Sequence, residues 1–420
     1  MENNNNNNHH SGFTNWSETP EQNNNTPHPA QYPGYPPMPR RRRKAWVVIL
    51  VVLLIFAISA GGNLAVRVFN RVTSSTLANG ANIQDGGITF NQTGVALDIR
   101  LARSSVVVKT HNSSYFQIDF APPARGNFVR PVYAFSLNGM RLDIVEELST
   151  GLFNFNTSNQ RGVLTILVPQ NIDGAFADIV ISTTSGRIDI QGDSDNRLAN
   201  GAVISATSGR VQAENLTAGS IDVRATSGAL GVNRLIATDG DITVRTTSGG
   251  ITVDNLDVNG NIHVNATSGR IRAGELAANG HISIESTSGS LALDIFTANS
   301  VNLSATSGAI SINNGNTTAG DFSARATSGG IRVNGLDVNG NLNMNATSAR
   351  LTADNVTVSG NLSMETTSGG VTLENSIING RINARATSGS INITNVTDES
   401  RMELSTSSGS INVNGQRWGR

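Results

Sequence analysis

Over residues 181–415, apolar and polar positions alternate in short bursts that restart about every 20 residues. Near Gly269, Ile262, Val264 and Ala266 alternate with His263, Asn265 and Thr267. Past the Ser268-Gly269 corner, Ile271 and Ala273 alternate with Arg270 and Arg272, and Leu276 adds a third apolar point before Asn279-Gly280. Near Gly249 the same places hold Ile242, Val244, Ile251, Val253, Leu256 and Val258; near Gly389 they hold Ile382, Ala384, Ala386, Ile391, Ile393 and Val396. Period-two alternation predicts short strands with one buried face.

A Thr-Ser-Gly triplet marks the corner in each burst. Its third position falls at Gly186, Gly209, Gly228, Gly249, Gly269, Gly289, Gly308, Gly329, Ala349, Gly369, Gly389 and Gly409. Equivalent residues keep the same polarity from burst to burst, so stacking sets Ile on Ile and Thr on Thr. Each strand then pairs in parallel with its copy one coil away, about 4.8 Å distant. Hairpins would reverse alternate segments and break that register. The predicted fold is therefore all-β: a single-chain parallel β-solenoid, or β-helix, of about 20-residue coils. Twelve coils give a rod roughly 55 Å long. A lone coil cannot bury its own apolar face, so neighbours must complete it. The corner glycine is expected to supply a positive φ, and the Thr and Ser hydroxyls to bond the corner backbone or run as a ladder between coils. On that reading Ala349 carries about 1 kcal/mol of strain, unless its corner needs no positive φ.

Open strand edges recruit other chains, so both rod ends need covers. Residues 85–180 are β-rich, with strands expected at Val95 to Leu101, Ser105 to Lys109, Tyr115 to Phe120, Val132 to Phe135, Arg141 to Val145 and Val163 to Val168. Hairpin-like loops and more aromatics (Phe116, Phe120, Phe128, Tyr133 and Phe135) suggest irregular first coils. Regular repeats occupy 181–415, and 416–420 form the far cap, with Trp418 over the last coil.

The first 84 residues follow another pattern. Residues 1–39 combine a run Asn3 to Asn8, His9-His10 and a Pro/Tyr stretch, and are expected to be a disordered tail. Residues 40–66 join the cations Arg40 to Lys44 to an apolar run from Ala45 to Val66. At about 1.5 Å per residue those 22 residues span roughly 33 Å, enough for one transmembrane helix. The cations before it hold the N-terminus in the cytoplasm and send the solenoid outward. A cleaved signal peptide is the competing reading, but the run continues past Ala57-Ile58-Ser59. Residues 67–84 read as a linker.

Composition narrows the functions. The chain has no cysteine, which removes disulfides, thiolate metal sites and cysteine nucleophiles. The net charge of −1 gives no field for nucleic acid. Between Ser182 and Gly415 the aromatics are Phe296 and Phe322, as a narrow lumen of Val, Ile, Leu and Ala requires, and few remain for stacking on sugars.

The stretch from Val163 through Val168-Pro169 to Ile179-Val180-Ile181-Ser182-Thr183-Thr184-Ser185-Gly186-Arg187-Ile188 resembles the bacterial adhesin-like β-solenoid family called Toastrack. That family shows an apolar strand ending in Val-Pro and then repeated Thr-Ser-Gly-x-Ile-x-Val units. The resemblance covers about residues 85–415. It implies an envelope-associated solenoid, often beside a membrane segment and linked to adhesion or envelope-stress sensing. It brings no catalytic residues.

No catalytic, cofactor or metal site is expected. Four positions before each corner glycine the outward residue reads Ser205, Arg224, Arg245, Asn265, Glu285, Ser304, Arg325, Asn345, Glu365, Arg385 and Ser405. Alternating signs suit a solvated face, with Arg325, Glu285 and Glu365 in surface ion pairs rather than a β-helix hydrolase site. His263 and His281 lie nearly one coil apart, without the carboxylates a metal site needs. The Thr ladder lacks the uniform Thr-x-Thr face of an ice binder. The expected function is a membrane-anchored extracytoplasmic scaffold or adhesin-like module. It would hold the bilayer through residues 45–66 and meet cell-wall polymer, an envelope protein or its own copies. An envelope-stress sensor with the tail inside is the alternative, and a carbohydrate-active enzyme a distant third.

Overall fold

A computed structural model of the chain describes residues 82–84, 87–124, 131–136, 140–146, 161–193, 195–396 and 399–419. The expected tail, the segment 45–66 expected to span a bilayer and most of the linker lie outside the described residues. The linker's last three residues, Asn82–Gln84, form a strand. Among the described residues no helix is long and apolar enough to cross a membrane.

The repeats stack as parallel coils in register. Strand Ile242–Thr246 pairs with Ile262–Ala266, Ile242 against Ile262 and Val244 against Val264. That strand pairs onward, Ile262 against Ile282 and Val264 against Ile284. Each coil contributes to three walls. The first wall precedes the Thr-Ser-Gly corner, as in Ile262–Ala266. The second follows it, as in Ile331–Asn334, and the third closes the coil, as in Leu336–Val338. Inward residues from all three walls are buried, among them Ile262, Val264, Ile271, Ala273 and Leu276. The lumen is thin enough that one ring reshapes the next coil. Phe296 lies on Phe322 at 5.7 Å between centroids, and a Cβ on Gly315 would sit 2.0 Å from the Phe296 ring.

The corner works differently from the sequence-based expectation. None of the triplet glycines has a positive φ. They are glycine because corners stack directly on one another. A Cβ on Gly209 would lie 1.6 Å from the Gly186 carbonyl oxygen, and one on Gly269 1.7 Å from that of Gly249. The left-handed residues stand instead between the second and third walls, at Asn255, Asn355, Asn375 and Asn395, with Gly335 in the same role. Asparagine tolerates that conformation. Ala349 is therefore a crowded corner rather than one strained in φ. The ladder continues through it, with Ser348 N donating to Thr327 O at 3.0 Å and Ser368 N to Thr347 O at 2.9 Å.

Hydroxyl bonding at the corner also comes from another position. The inward residue three before the glycine does it wherever it is Thr or Ser. Gly249 N donates to Thr246 Oγ1 at 3.1 Å, and Thr246 Oγ1 donates to Gly228 O at 3.3 Å. Thr183, Ser286, Thr366 and Thr406 act similarly on the corner below. A second ladder runs at the turn back to the first wall. Asp241 Oδ1 accepts from Asn261 N at 2.7 Å, and Asn261 Oδ1 accepts from His281 N at 2.8 Å. Asp321, Asn341, Asn361 and Arg381 repeat the device.

The N-terminal part departs from chain order. Val95–Leu101 and Ser105–His111 form a coil that lies between two others. On one side are Phe176–Thr183 and Ile188–Gln191; on the other are Arg141–Val145 and Val163–Pro169, later in sequence than the coil they cover. Antiparallel strands close the edges. Val132–Ser136 lies on Arg141–Val145, Phe116–Ala121 on Val163–Pro169, and Gly87–Phe90 on Phe116–Ala121. Their rings make the bulkiest packing, with Phe90 stacked on Phe116 at 4.9 Å and Phe176 5.3 Å away. At the far end Gln416–Arg417 folds back on Ile411–Val413, and Trp418 packs against the core.

Candidate functional site

The most regular surface is the first wall with the corner beside it. Backbone geometry fixes it: Ser227 N donates to Thr207 O at 2.8 Å and Ser268 N to Thr247 O at 2.9 Å, so each corner is held one coil above the last. The triplet side chains are left free. From Thr207-Ser208 to Ser407-Ser408 they are exposed. The result is a double file of hydroxyls spaced by about 4.8 Å per coil.

The outward column four residues before each corner runs parallel to that file. Near the N-terminal end the two border a groove of about 710 Å³. Ser182, Ser205, Thr184, Thr207, Thr226, Thr247 and Thr267 supply hydroxyls to it, and Arg100, Arg224 and Arg245 supply guanidinium groups. Arg224 is held along the wall by Asp222, which keeps its guanidinium more firmly protonated than usual. Arg100 is paired with Asp98 in the same manner. Arg141 bridges Asp98 and Asp143, and its proton is held mainly by Asp143. Arg245 is exposed and forms no ion pair among the described residues. Glu146 closes the groove's end, accepting from Arg103 N at 2.8 Å, Ser104 N at 3.0 Å and Ser104 Oγ at 2.8 Å. Among the described residues the lining has no aromatic ring, so hydrogen bonds rather than stacking would hold a ligand there.

Farther along the column, Arg325, Glu285 and Glu365 do not form the surface ion pairs expected of them. Each stands two coils from the next, roughly 10 Å by coil spacing. Among the described residues none of the three enters an ion pair, and Glu285 accepts only from Asn265 Nδ2 at 3.0 Å. His281 Nδ1 lies 2.8 Å from Ser300 Oγ, and His263 Nε2 is 4.0 Å from Asp241 Oδ2. Burial first, then the neighbouring His263, lower the His281 pKa, and a hydrogen bond with Ser300 opposes them. Among the described residues no group of three or more His, Asp or Glu is placed to hold a metal.

The column of outward residues was visible in the sequence. Arg100 and Glu146 were missed as groove residues, because they belong to the N-terminal coils, whose register no repeat reveals. The Asp241-to-Asn261 ladder was missed too, although an Asp or Asn recurring directly after the turn glycine is its signal.

Stacked coils, walls of small polar residues and an open groove define a parallel β-solenoid of the binding or scaffold class. The chain belongs to the Toastrack DUF4097 family, whose profile matches residues 95–316 and 296–417. No curated protein and no solved structure matches the chain.

Proposed function

We propose that the chain is a membrane-anchored, extracytoplasmic binding module of the cell envelope. Residues 45–66 hold it in the bilayer with residues 1–39 inside, and the solenoid displays the groove to an extended polymer. The observation that carries this reading is the in-register file of exposed Thr and Ser hydroxyls beside Arg100, Arg224 and Arg245. A polymer strand lying along the rod would meet the same donors at each coil. The chemistry suits a hydroxyl-rich chain bearing carboxylate or phosphate groups, as cell-wall polymers do: guanidinium groups pair with the anions and hydroxyls exchange hydrogen bonds with the sugars. Such an adhesin-like role needs no turnover.

The test is co-sedimentation of the purified full chain with insoluble wall polymer, stripped or not of its anionic groups. Binding that falls about tenfold in Arg245→Ala and on stripping is expected, in line with one lost charge-assisted contact. Equal binding by wild type and by a triple Arg100, Arg224, Arg245→Ala variant, or soluble sugar fragments appearing during incubation, would overturn the reading. Protease added outside intact cells should remove the solenoid and spare the tail; the reverse pattern contradicts the orientation.

A further inference from the structure

We propose that the middle of the first wall is a self-complementary face, and that its partner is a second, antiparallel copy of this chain. The inference shares with the functional proposal only the use of this wall; the groove and the middle stretch overlap at Arg245 and Asn265.

The column reads Arg245, Asn265, Glu285, Ser304, Arg325, Asn345 and Glu365, one residue per coil. Its charges alternate in sign every second coil, and none of the four forms an ion pair among the described residues. A twofold axis along the strand that carries Ser304 reverses the column and lays it on itself. Arg245 then meets Glu365 of the copy, Asn265 meets Asn345, Glu285 meets Arg325, and Ser304 meets its own equivalent. Four opposite-charge contacts and two amide pairs form at once. A parallel arrangement brings Arg to Arg and Glu to Glu at every level and is repelled. Isologous contact of this kind is the commonest symmetry of homo-oligomers.

The flanking surface permits the approach. The outward column two residues earlier is short and uncharged from Thr243 to Ser363, apart from His263, which faces Asn343 of the copy. On the other side stand only the corner Thr and Ser. Complementarity ends at Arg224, which would face Arg385 but is already bound to Asp222. A patch seven coils long and five residues wide measures about 34 Å by 16 Å. That is roughly 540 Å² per copy, at the low end of specific interfaces. Being polar and held by exposed charges, the contact is weak and salt-sensitive. Antiparallel pairing sets the two solenoid N-terminal ends at opposite ends of the pair, so copies anchored in facing surfaces can join them.

The experiment is sedimentation of the full chain in detergent at low and high salt, with variants checked for an unchanged melting curve. Wild type should dimerise, and 0.5 M salt should weaken the dimer about tenfold. Arg325→Glu alone and Glu285→Arg alone should each weaken it at least about tenfold, since the symmetry doubles each like-charge contact. The double variant should recover to within about threefold, because each reversed charge again meets its opposite. A monomer at all concentrations, a dimer indifferent to the single reversals, or a double variant no better than the singles overturns the proposal. Orientation is read separately, since the chain has no native cysteine. A short bismaleimide should link Ser304→Cys to itself, and Ser205→Cys to Ser405→Cys, but not Ser205→Cys to itself. Efficient self-linking of Ser205→Cys contradicts the antiparallel arrangement. Loss of polymer binding with dimerisation intact would sink the groove reading alone, and the converse would sink this one.

Discussion

The regular coils and the N-terminal coils solve one problem with opposite means. In the coils from about residue 197 to 374 each strand is covered on both edges by near-copies of itself, and Ile, Val, Leu and Ala fill the lumen. At the N-terminal end no further copy stands among the described residues. There the chain doubles back, sets Arg141–Val145 outside Val95–Leu101, seals the edges with antiparallel strands and fills the space with Phe90, Phe116 and Phe176. Translational repetition makes large side chains unnecessary, and its end makes them necessary. The same contrast holds for glycine: inside the repeat it marks where backbones touch, not where they turn.

The comparison can be broken first in the lumen. Ile271→Asp buries an unpaired charge and should cost about 4 kcal/mol or more, read by denaturant unfolding. Because each coil contacts only its neighbours, hydrogen exchange should rise in the adjoining coils and stay unchanged at Val95–Leu101. Phe116→Ala in the N-terminal packing should cost about 3–5 kcal/mol and show the reverse exchange pattern. Uniform loosening in either variant would remove the distinction between the two regions.

A smaller effect sharpens the reading of the corner. Gly269→Ala places a methyl group against the Gly249 carbonyl and should cost about 1–3 kcal/mol through overpacking. Ala349→Gly should change stability by less than about 1 kcal/mol, since relief of crowding offsets added freedom in the unfolded chain. Equal and opposite effects at the two corners would mean that Ala349 is fully strained.

The smallest expected effect is titration of His281. Its pKa in the folded chain lies below the ordinary 6.5. The unfolded chain therefore binds the proton more readily, so stability is complete above about pH 6.5 and declines as pH falls through the folded value. His281→Gln should flatten that part of a melting-temperature profile. A wild-type profile that rises on acidification across this range contradicts the assignment.

Most of the architecture was legible because the repeat is a statement about contacts: the distance from Ile262 to Ile282 in sequence is the stacking distance in space. The cause of the corner glycine was not legible, since close approach and positive φ select the same residue. The N-terminal order was hidden for a different reason. The pairing of Asp98 with Asp143 joins segments that share no motif, and only packing decides it. Of the candidate site, the column from Ser205 to Ser405 was readable. The lack of ion pairs along it was not, because pairing depends on coil spacing against side-chain reach. Arg245 and Glu285 carry opposite signs but stand two coils apart.

The most direct test of stacking in register is a set of spin-label distances along the corner file. With no native cysteine to remove, pairs are placed at Ser208 with Ser288, Ser328 or Ser388, which lie four, six and nine coils apart. The expected distances are about 19, 29 and 43 Å, a straight line of about 4.8 Å per coil. Distances that fail to grow in proportion to the number of coils would contradict the account.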